Sequence, residues 1–187
     1  MKPQSPTSSP ADAVAAFLDA FDLGTHPETE ETPERVAEMW NDSLLSGEGV
    51  DPKMILEKRI PDQSGVIVIL RSIPFHGVCP HHLVPFFGHV DLAYEPDGFI
   101  VGLGALERLV AVLSRRLILQ EDLTGRLVDT MEDALNAKGV GCRIEAQHLC
   151  LMLRGREPRS TQLVTQRATG SLRERWDLFF ERDKEHG

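Results

Sequence analysis

Two distant segments of the sequence carry side chains suited to binding a transition metal. In VCPHHLVPF, residues 78–86, Cys79 and His82 lie three positions apart, a spacing that lets both side chains converge from one tight turn. The segment EAQHLCLMLRG adds His148 and Cys150, which would face the same side of a strand. Two thiolates and one imidazole suit zinc, and three protein ligands leave a fourth position open for water. Zinc lowers the pKa of such a water towards neutrality.

The remaining residues of these segments leave two interpretations open. Beside a metal held by Cys79, His82 and Cys150, His81 and His148 would be available for proton transfer. The competing interpretation is a stiff loop with a histidine pair, next to a half-buried cysteine on a strand, and spacing alone does not decide between them.

Two further expectations concern single residues near these segments. Pro80 fits the first position of a short helix whose N-cap is Cys79, because the missing N–H costs nothing there. Cys142 is expected to be a small core residue.

Composition and charge exclude several classes of partner. The formal net charge is -9, whereas affinity for a nucleic-acid backbone depends on clustered Lys and Arg. The sequence has no apolar run near the roughly 18–20 residues that span a bilayer. Its first ten residues, MKPQSPTSSP, lack the apolar region of a signal peptide, and three cysteines do not make a disulfide framework. We therefore expect a cytoplasmic protein with neither a nucleic-acid nor a membrane partner.

Helical patterns dominate the first third of the chain. SPAD, residues 9–12, has the form of a capping box with Pro at the first helical position, and TPER, residues 32–35, repeats it. Each predicts a helix, and a short helical piece is expected over residues 52–58.

Strand patterns begin at residue 65. GVIVILRSI and PFFGHVDLAYEP are predicted as strands. Amphipathic helices over residues 106–117 and 123–135 follow, the second closed by Gly139. Strands within VGCRIEAQHLCLMLRG and TQLVTQRATG and a final helix containing Trp176 complete the order. This order predicts an α+β fold, an antiparallel sheet with helices on one face.

Four motifs in order, from about Pro33 to Gly170, resemble the GTP cyclohydrolase I family. They are TPERVAEM, CPHHLVPFFGHV, VGLGALERLVAVLSRRLILQEDLT and EAQHLCLMLRG. The resemblance implies a T-fold whose subunits form a toroidal homo-oligomer, usually a decamer, with active sites between subunits. On this basis residues 1–10 are expected to be a disordered tail and residues 11–187 one domain, with a helical part over 11–60 and the T-fold core over 61–187.

The resemblance also implies the roles of individual residues. Cys79, His82 and Cys150 would bind Zn²⁺, His148 would act as acid and base at the purine N7, and His81 would assist. The residues implied for substrate binding are Glu121 for guanine, Gln120 beside it, and Arg35, Arg108 and Arg154 for the triphosphate. The implied reaction is hydrolytic opening of the guanine imidazole ring of GTP at C8, loss of formate, and closure to 7,8-dihydroneopterin triphosphate.

The chain departs from the family pattern at two motifs. Where the family has G-L-S-K, this chain has Gly102-Leu103-Gly104-Ala105, and Pro80 replaces the glutamate of C-E-H-H. Three interpretations follow: an ordinary GTP cyclohydrolase I, a diverged paralogue, or a non-catalytic zinc-stabilised oligomer that binds pterins or a partner. The paralogue would act on a less phosphorylated purine or pterin, or stop at the ring-opened formamide. Retention of both His81 and His148 argues against the non-catalytic interpretation.

Overall fold

The computed structural model describes residues 8–153 and 161–175, and the chain divides into two compact units. The first spans residues 1–46 and the second residues 47–187. Within the second unit, the 3-10 helix Pro52–Leu56 packs against the two long helices.

The first unit contains the two predicted N-terminal helices, α1 (Pro10–Asp19) and α2 (Thr32–Met39). The capping box of α1 is confirmed: the Asp12 amide donates to Ser9 Oγ at 3.1 Å, and the Ser9 amide donates to Asp12 Oδ2 at 2.8 Å. The predicted capping box of α2 is wrong, because Thr32 is already the first helical residue and Glu31 is the N-cap. A 3-10 turn, Pro27–Thr29, precedes α2, and a π-helical turn, Trp40–Leu44, follows it.

The second unit contains antiparallel strands together with helices. Within the described residues the strands are β1 (Arg59–Pro61), β2 (Val68–Val78), β3 (Pro85–Glu95), β4 (Phe99–Val101), β5 (Gly139–His148) and β6 (Gln162–Ala168). The order β2-β3-β5-β6 makes the main sheet, while β1 and β4 make a separate pair that the sequence patterns did not predict.

Two amphipathic helices, α3 (Leu103–Ser114) and α4 (Gln120–Leu135), cover one face of the main sheet. α3 packs on β2, and α4 packs on β5 and β6. Their fully buried leucines share one apolar core with alternate strand residues such as Val90 and Ile144. The predicted α+β architecture, with helices on one sheet face, is confirmed in this part of the chain.

Three local predictions are corrected. α4 ends at Asn136, which adopts the left-handed conformation (φ 48°), and not at Gly139, which begins β5. β2 runs on to Val78 through a bulge at Ser72 (φ 58°), whose amide donates to Asp91 Oδ1 at 2.7 Å. The strand predicted through Cys150 stops earlier, as described below.

Two further expectations concern the C-terminal helix and membrane-spanning segments. The expected final helix falls largely outside the described residues, which end with a 3-10 turn at Gly170–Leu172. Among the helices that the structure describes, none combines the length and apolar character needed to cross a membrane.

A tight contact between β3 and β5 at Gly88 provides a test of the sheet. A Cβ added at Gly88 would lie 2.0 Å from the Glu145 carbonyl oxygen, so Gly88→Ala must push the two strands apart. We expect the free energy of unfolding, measured by urea denaturation, to fall by about 1–3 kcal/mol. Gly104→Ala is the matched control, because a Cβ built on this helical glycine has no described heavy atom within 4 Å. The control should hold or raise stability, and equal losses in both variants would contradict the account.

Candidate active site

The predicted metal ligands line one cavity of about 380 Å³ in the second unit. Four segments surround it: the turn at residues 79–82, residues 118–121 at the start of α4, residues 148–151, and residues 161–163 leading into β6. Phe86 contributes from β3. The sheet and the helix layer thus bring together the two segments that the sequence analysis had paired.

Cys79 and His82 are positioned by a closed turn between β2 and β3. The Leu83 amide donates to the Cys79 carbonyl at 2.9 Å, and the Cys79 amide donates to the Val84 carbonyl at 3.0 Å. Leu83 takes a left-handed conformation (φ 54°), which reverses the chain within these few residues. The predicted role of Cys79 as a helix N-cap is wrong, because the chain returns into β3 before a helix can form. The turn instead brings Cys79 Sγ within 3.6 Å of His82 Nδ1.

Cys150 reaches the same point from a short helix and not from a strand. The β5 ladder ends where His148 pairs with Phe86, and the chain then turns into α5 (Leu149–Met152). The expectation that His148 and Cys150 share a strand face is therefore wrong. Both residues nevertheless line the same cavity, His148 from the end of β5 and Cys150 from α5.

The ligand atoms of Cys79, His82 and Cys150 all lie within 4.8 Å of one another. Ligands that bind one zinc ion at about 2.0–2.3 Å lie roughly 3.3–3.8 Å apart, so a small inward movement completes the site. Cys79 is buried, Cys150 is partly buried and His82 is exposed, which leaves one side of the cluster open to the cavity. Two sulfurs and one nitrogen fit zinc, and the open side matches a catalytic arrangement rather than a closed structural one.

Glu121 is brought to the cavity by backbone pairing between β2 and the segment that precedes α4. The Val78 amide donates to the Arg116 carbonyl at 3.2 Å, and the Ile118 amide donates to the Val78 carbonyl at 3.1 Å. These bonds place the first turn of α4 beside the cysteine turn. Glu121 is exposed there and lines the cavity. Its carboxylate can therefore accept hydrogen bonds from a bound molecule.

His148 is held from two sides. Its ring stacks on Phe86 with centroids 4.7 Å apart and planes 5° apart, and its Nε2 lies 2.8 Å from Gln120 Oε1. Burial lowers the pKa of His148 from its usual value, and the charge of Glu121 opposes this shift more weakly. A lowered pKa keeps the ring neutral near pH 7, so it can accept a proton.

Of the other predicted site residues, His81 lines the cavity, whereas the three arginines are not among its described lining residues. His81 is exposed and lines the cavity, with its ring 6.2 Å from that of His82. Arg108 is exposed on α3 and is not among the described residues that line the cavity. Arg35 belongs to the first unit, where it pairs with Glu31, and Arg154 lies outside the described residues.

Gln120, which was expected to lie beside the bound guanine, contacts other parts of the protein. It borders the cavity, but its side chain is fully buried and both ends of its amide contact protein groups. Phe86 and Thr165, which contact His148 and Gln120, were not predicted at all. Only the cross-strand register Phe86↔His148 and Thr165↔Ile144 reveals them, and the sequence gives no direct signal of it.

Comparison with known proteins gives one consistent family. A family model described as GTP cyclohydrolase I matches residues 11–181. The chain is 40% identical over 166 residues to "GTP cyclohydrolase 1" of Streptococcus pyogenes serotype M49, covering 87% of this chain and 84% of that protein. It is 41% identical over 162 residues to "GTP cyclohydrolase 1" of Streptococcus agalactiae serotype Ia, covering 84% and 85%.

Among solved structures, the chain is similar to the archaeosine synthase QueF-Like in the apo form. The TM-score is 0.46 at 19% sequence identity, and the match covers 58% of this chain and 97% of the other.

The ligand set predicts which substitutions abolish zinc binding. In Cys150→Ala we expect the zinc content of the purified protein, measured by mass spectrometry of the metal, to drop from about one ion per chain to a small fraction of that, because one of three protein ligands is lost. His81→Ala is the matched control and should retain its zinc, since His81 is adjacent to a ligand but outside the cluster. Full zinc occupancy in Cys150→Ala would contradict the assignment.

Proposed function

The chain belongs to the GTP cyclohydrolase I family of hydrolases, and we propose that it is a zinc-dependent enzyme that opens the imidazole ring of GTP at C8. The products of the proposed reaction are formate and 7,8-dihydroneopterin triphosphate. The observation that carries the proposal is the convergence of Cys79, His82 and Cys150 on the cavity that also holds His148 and Glu121.

The ligand cluster accounts for attack at a carbon of an aromatic ring. Such an attack needs a strong nucleophile at neutral pH, and zinc bound by Cys79, His82 and Cys150 would supply it by Lewis acidity and by lowering the pKa of water. The open side of the cluster faces the cavity, so the purine and the water would meet there.

His148 is suited to the proton transfers of the proposed reaction. Ring opening requires a proton at the purine N7, and a neutral imidazole can take a proton from water and pass it on. Burial beside Phe86 lowers the pKa of His148, which makes its protonated form a stronger acid. His81, exposed at the mouth of the same cavity, is proposed to assist the later transfers.

Glu121 is proposed to recognise guanine. The purine presents two N–H groups on its pyrimidine ring, at N1 and the 2-amino group, and a carboxylate can accept from both at once. A purely structural role is the alternative, because Glu121 lies in the first turn of α4, where the helix dipole stabilises an acidic side chain. Its place in the cavity lining favours the recognition role.

Arg35, Arg108 and Arg154 are proposed to hold the triphosphate, as the family resemblance implies. Arg108 lies outside the cavity lining of its own chain among the described residues, which is compatible with a site completed by a second subunit. Among the described residues β2 and β6 are the edge strands of the main sheet, and an edge strand is a place where a second chain can pair. We propose a T-fold assembled into a toroidal homo-oligomer, a decamer in the usual form of the family, working in the cytoplasm.

One observation favours a second candidate. Gly104 and Ala105 at the start of α3 stand in place of a serine and a lysine, so one hydroxyl and one cation are lost at the phosphate end. Charge-assisted hydrogen bonds contribute about 1.5–3 kcal/mol each, so loss of both would weaken phosphate binding by about two to four orders of magnitude. The second candidate is therefore a paralogue for a less phosphorylated purine or pterin, or one that stops at the ring-opened formamide.

The experiment incubates the zinc-loaded protein with GTP and measures formate release and dihydroneopterin fluorescence separately. We expect both, with equal amounts of formate and pterin. Formate without fluorescence would support the second candidate, and neither product in a zinc-loaded protein would contradict GTP as substrate.

His148→Ala tests the proposed acid and base. We expect formate release to slow by about 10²–10⁴-fold, the usual contribution of general acid–base catalysis. His89→Ala is the control, because His89 is exposed on β3 and lies outside this cavity. A His148→Ala variant as active as the control would overturn the role of His148.

A further inference from the structure

We propose that Gln120 is a positioning residue that holds the ring of His148 as the Nε2–H tautomer. The proposal rests on the proposed function for its catalytic consequence, but not for its hydrogen-bond geometry. It replaces the expectation that Gln120 binds the substrate.

The orientation of the Gln120 amide is fixed by its surroundings. Its nitrogen, Nε2, lies 3.2 Å from the Ile144 carbonyl oxygen and 3.1 Å from the Leu163 carbonyl oxygen. Carbonyl oxygens only accept hydrogen bonds, so the end of the amide that faces them must be the NH₂ group. In the flipped amide, its oxygen would face both carbonyl oxygens in a fully buried position, with no hydrogen between these three acceptors.

Two threonines agree with this orientation. The Thr124 hydroxyl donates its single hydrogen to the Gln120 backbone carbonyl at 2.9 Å. The Thr165 hydroxyl, 2.7 Å from Thr124 Oγ1, must therefore donate to it. Thr165 Oγ1 is then an acceptor at 3.0 Å that shares the two hydrogens of Gln120 Nε2 with the two carbonyl oxygens. The hydrogen positions of the whole network follow from two backbone carbonyls.

The same network determines which nitrogen of His148 carries hydrogen. With the amide nitrogen committed to β5 and β6, its oxygen faces His148 Nε2 at 2.8 Å. An amide oxygen can only accept, so Nε2 must donate. In the neutral ring Nδ1 then keeps the lone pair, because only one ring nitrogen carries hydrogen.

Phe86 fixes the plane of the His148 ring, and the hydrogen bond to Gln120 fixes which edge of the ring faces the amide. The two rings are nearly parallel, with their planes 5° apart and their centroids 4.7 Å apart, and Phe86 is itself buried. A rotated imidazole would place a carbon against the amide oxygen and lose the hydrogen bond. Gln120 sets the tautomer, and Phe86 sets the plane of the ring.

The consequence for the proposed reaction is specific. A proton taken up by the ring binds at Nδ1, and its transfer to the purine nitrogen breaks that N–H bond and restores the Nε2–H tautomer. The hydrogen on Nε2 stays with Gln120 throughout. A ring with the opposite tautomer has no lone pair on Nδ1 and cannot begin this cycle.

Neutron diffraction of the zinc-loaded, deuterium-exchanged protein at mildly alkaline pH tests the proposal without any activity. We expect nuclear density for a deuteron on His148 Nε2 and none on Nδ1. A deuteron on Nδ1 with none on Nε2 would overturn the tautomer assignment. The neutron result does not depend on whether the protein acts on GTP. The tautomer assignment and the proposed function can therefore be rejected independently of each other.

Kinetics of Gln120→Met test the catalytic consequence. Methionine has a similar length but no donor or acceptor to match the amide, and loss of an orienting partner of an active-site histidine costs about 10- to 100-fold in activity. We expect kcat for formate release to fall by this factor while KM for GTP changes little. A raised KM with unchanged kcat would assign Gln120 to substrate binding and overturn the positioning role.

Ser114→Ala is the control for loss of a buried polar side chain. Ser114 is buried on α3, where its hydroxyl donates to the Ala111 carbonyl at 3.4 Å, and it lies outside the cavity. It should keep the wild-type kcat and KM. If Gln120→Met fails to fold, the neutron measurement on the unaltered protein still decides the tautomer.

Discussion

The candidate site depends on two backbone hydrogen bonds made by Val78 at the end of β2. Val78 is fully buried, and its amide and carbonyl both pair with the segment that precedes α4. Cys79 follows immediately, so the same bonds fix where the proposed metal-binding turn begins and where Gln120 and Glu121 enter the cavity. A change in this pairing would separate the proposed metal ligands from the residues proposed to bind and protonate the purine.

The register between β3 and β5 completes the arrangement. The ladder ends with Phe86 opposite His148, and the chain then turns into α5, which carries Cys150. The strand end thus supplies the proposed proton carrier, and the next turn supplies a proposed metal ligand. Glu121 and Gln120, adjacent in sequence, have different surroundings: Glu121 is exposed to the cavity and Gln120 is buried against β5 and β6. This difference would separate the proposed recognition of the substrate by Glu121 from the proposed orientation of His148 by Gln120.

Much of the candidate site could be predicted from the chemistry of the residues in the sequence. Thiols and imidazoles at Cys79, His82 and Cys150 indicate zinc whatever their local structure, and the amphipathic patterns of α3 and α4 follow from helical periodicity. The path of the chain between these residues was less predictable. The strand expected through Cys150 is a helical turn, because ladder pairing and not sequence pattern decides where β5 ends. The role of Gln120 depends on oxygens of Ile144, Leu163 and Thr165, distant contacts that no local pattern encodes.

The central claim is that one zinc ion joins the turn after β2 to the helix after β5. X-ray absorption at the zinc edge of the purified protein tests this claim most directly, because it counts the atoms bound to the metal. The account predicts two sulfur neighbours at about 2.3 Å and two nitrogen or oxygen neighbours at about 2.0–2.1 Å. A zinc coordination shell without sulfur, or with only one sulfur atom per zinc ion, would contradict the account.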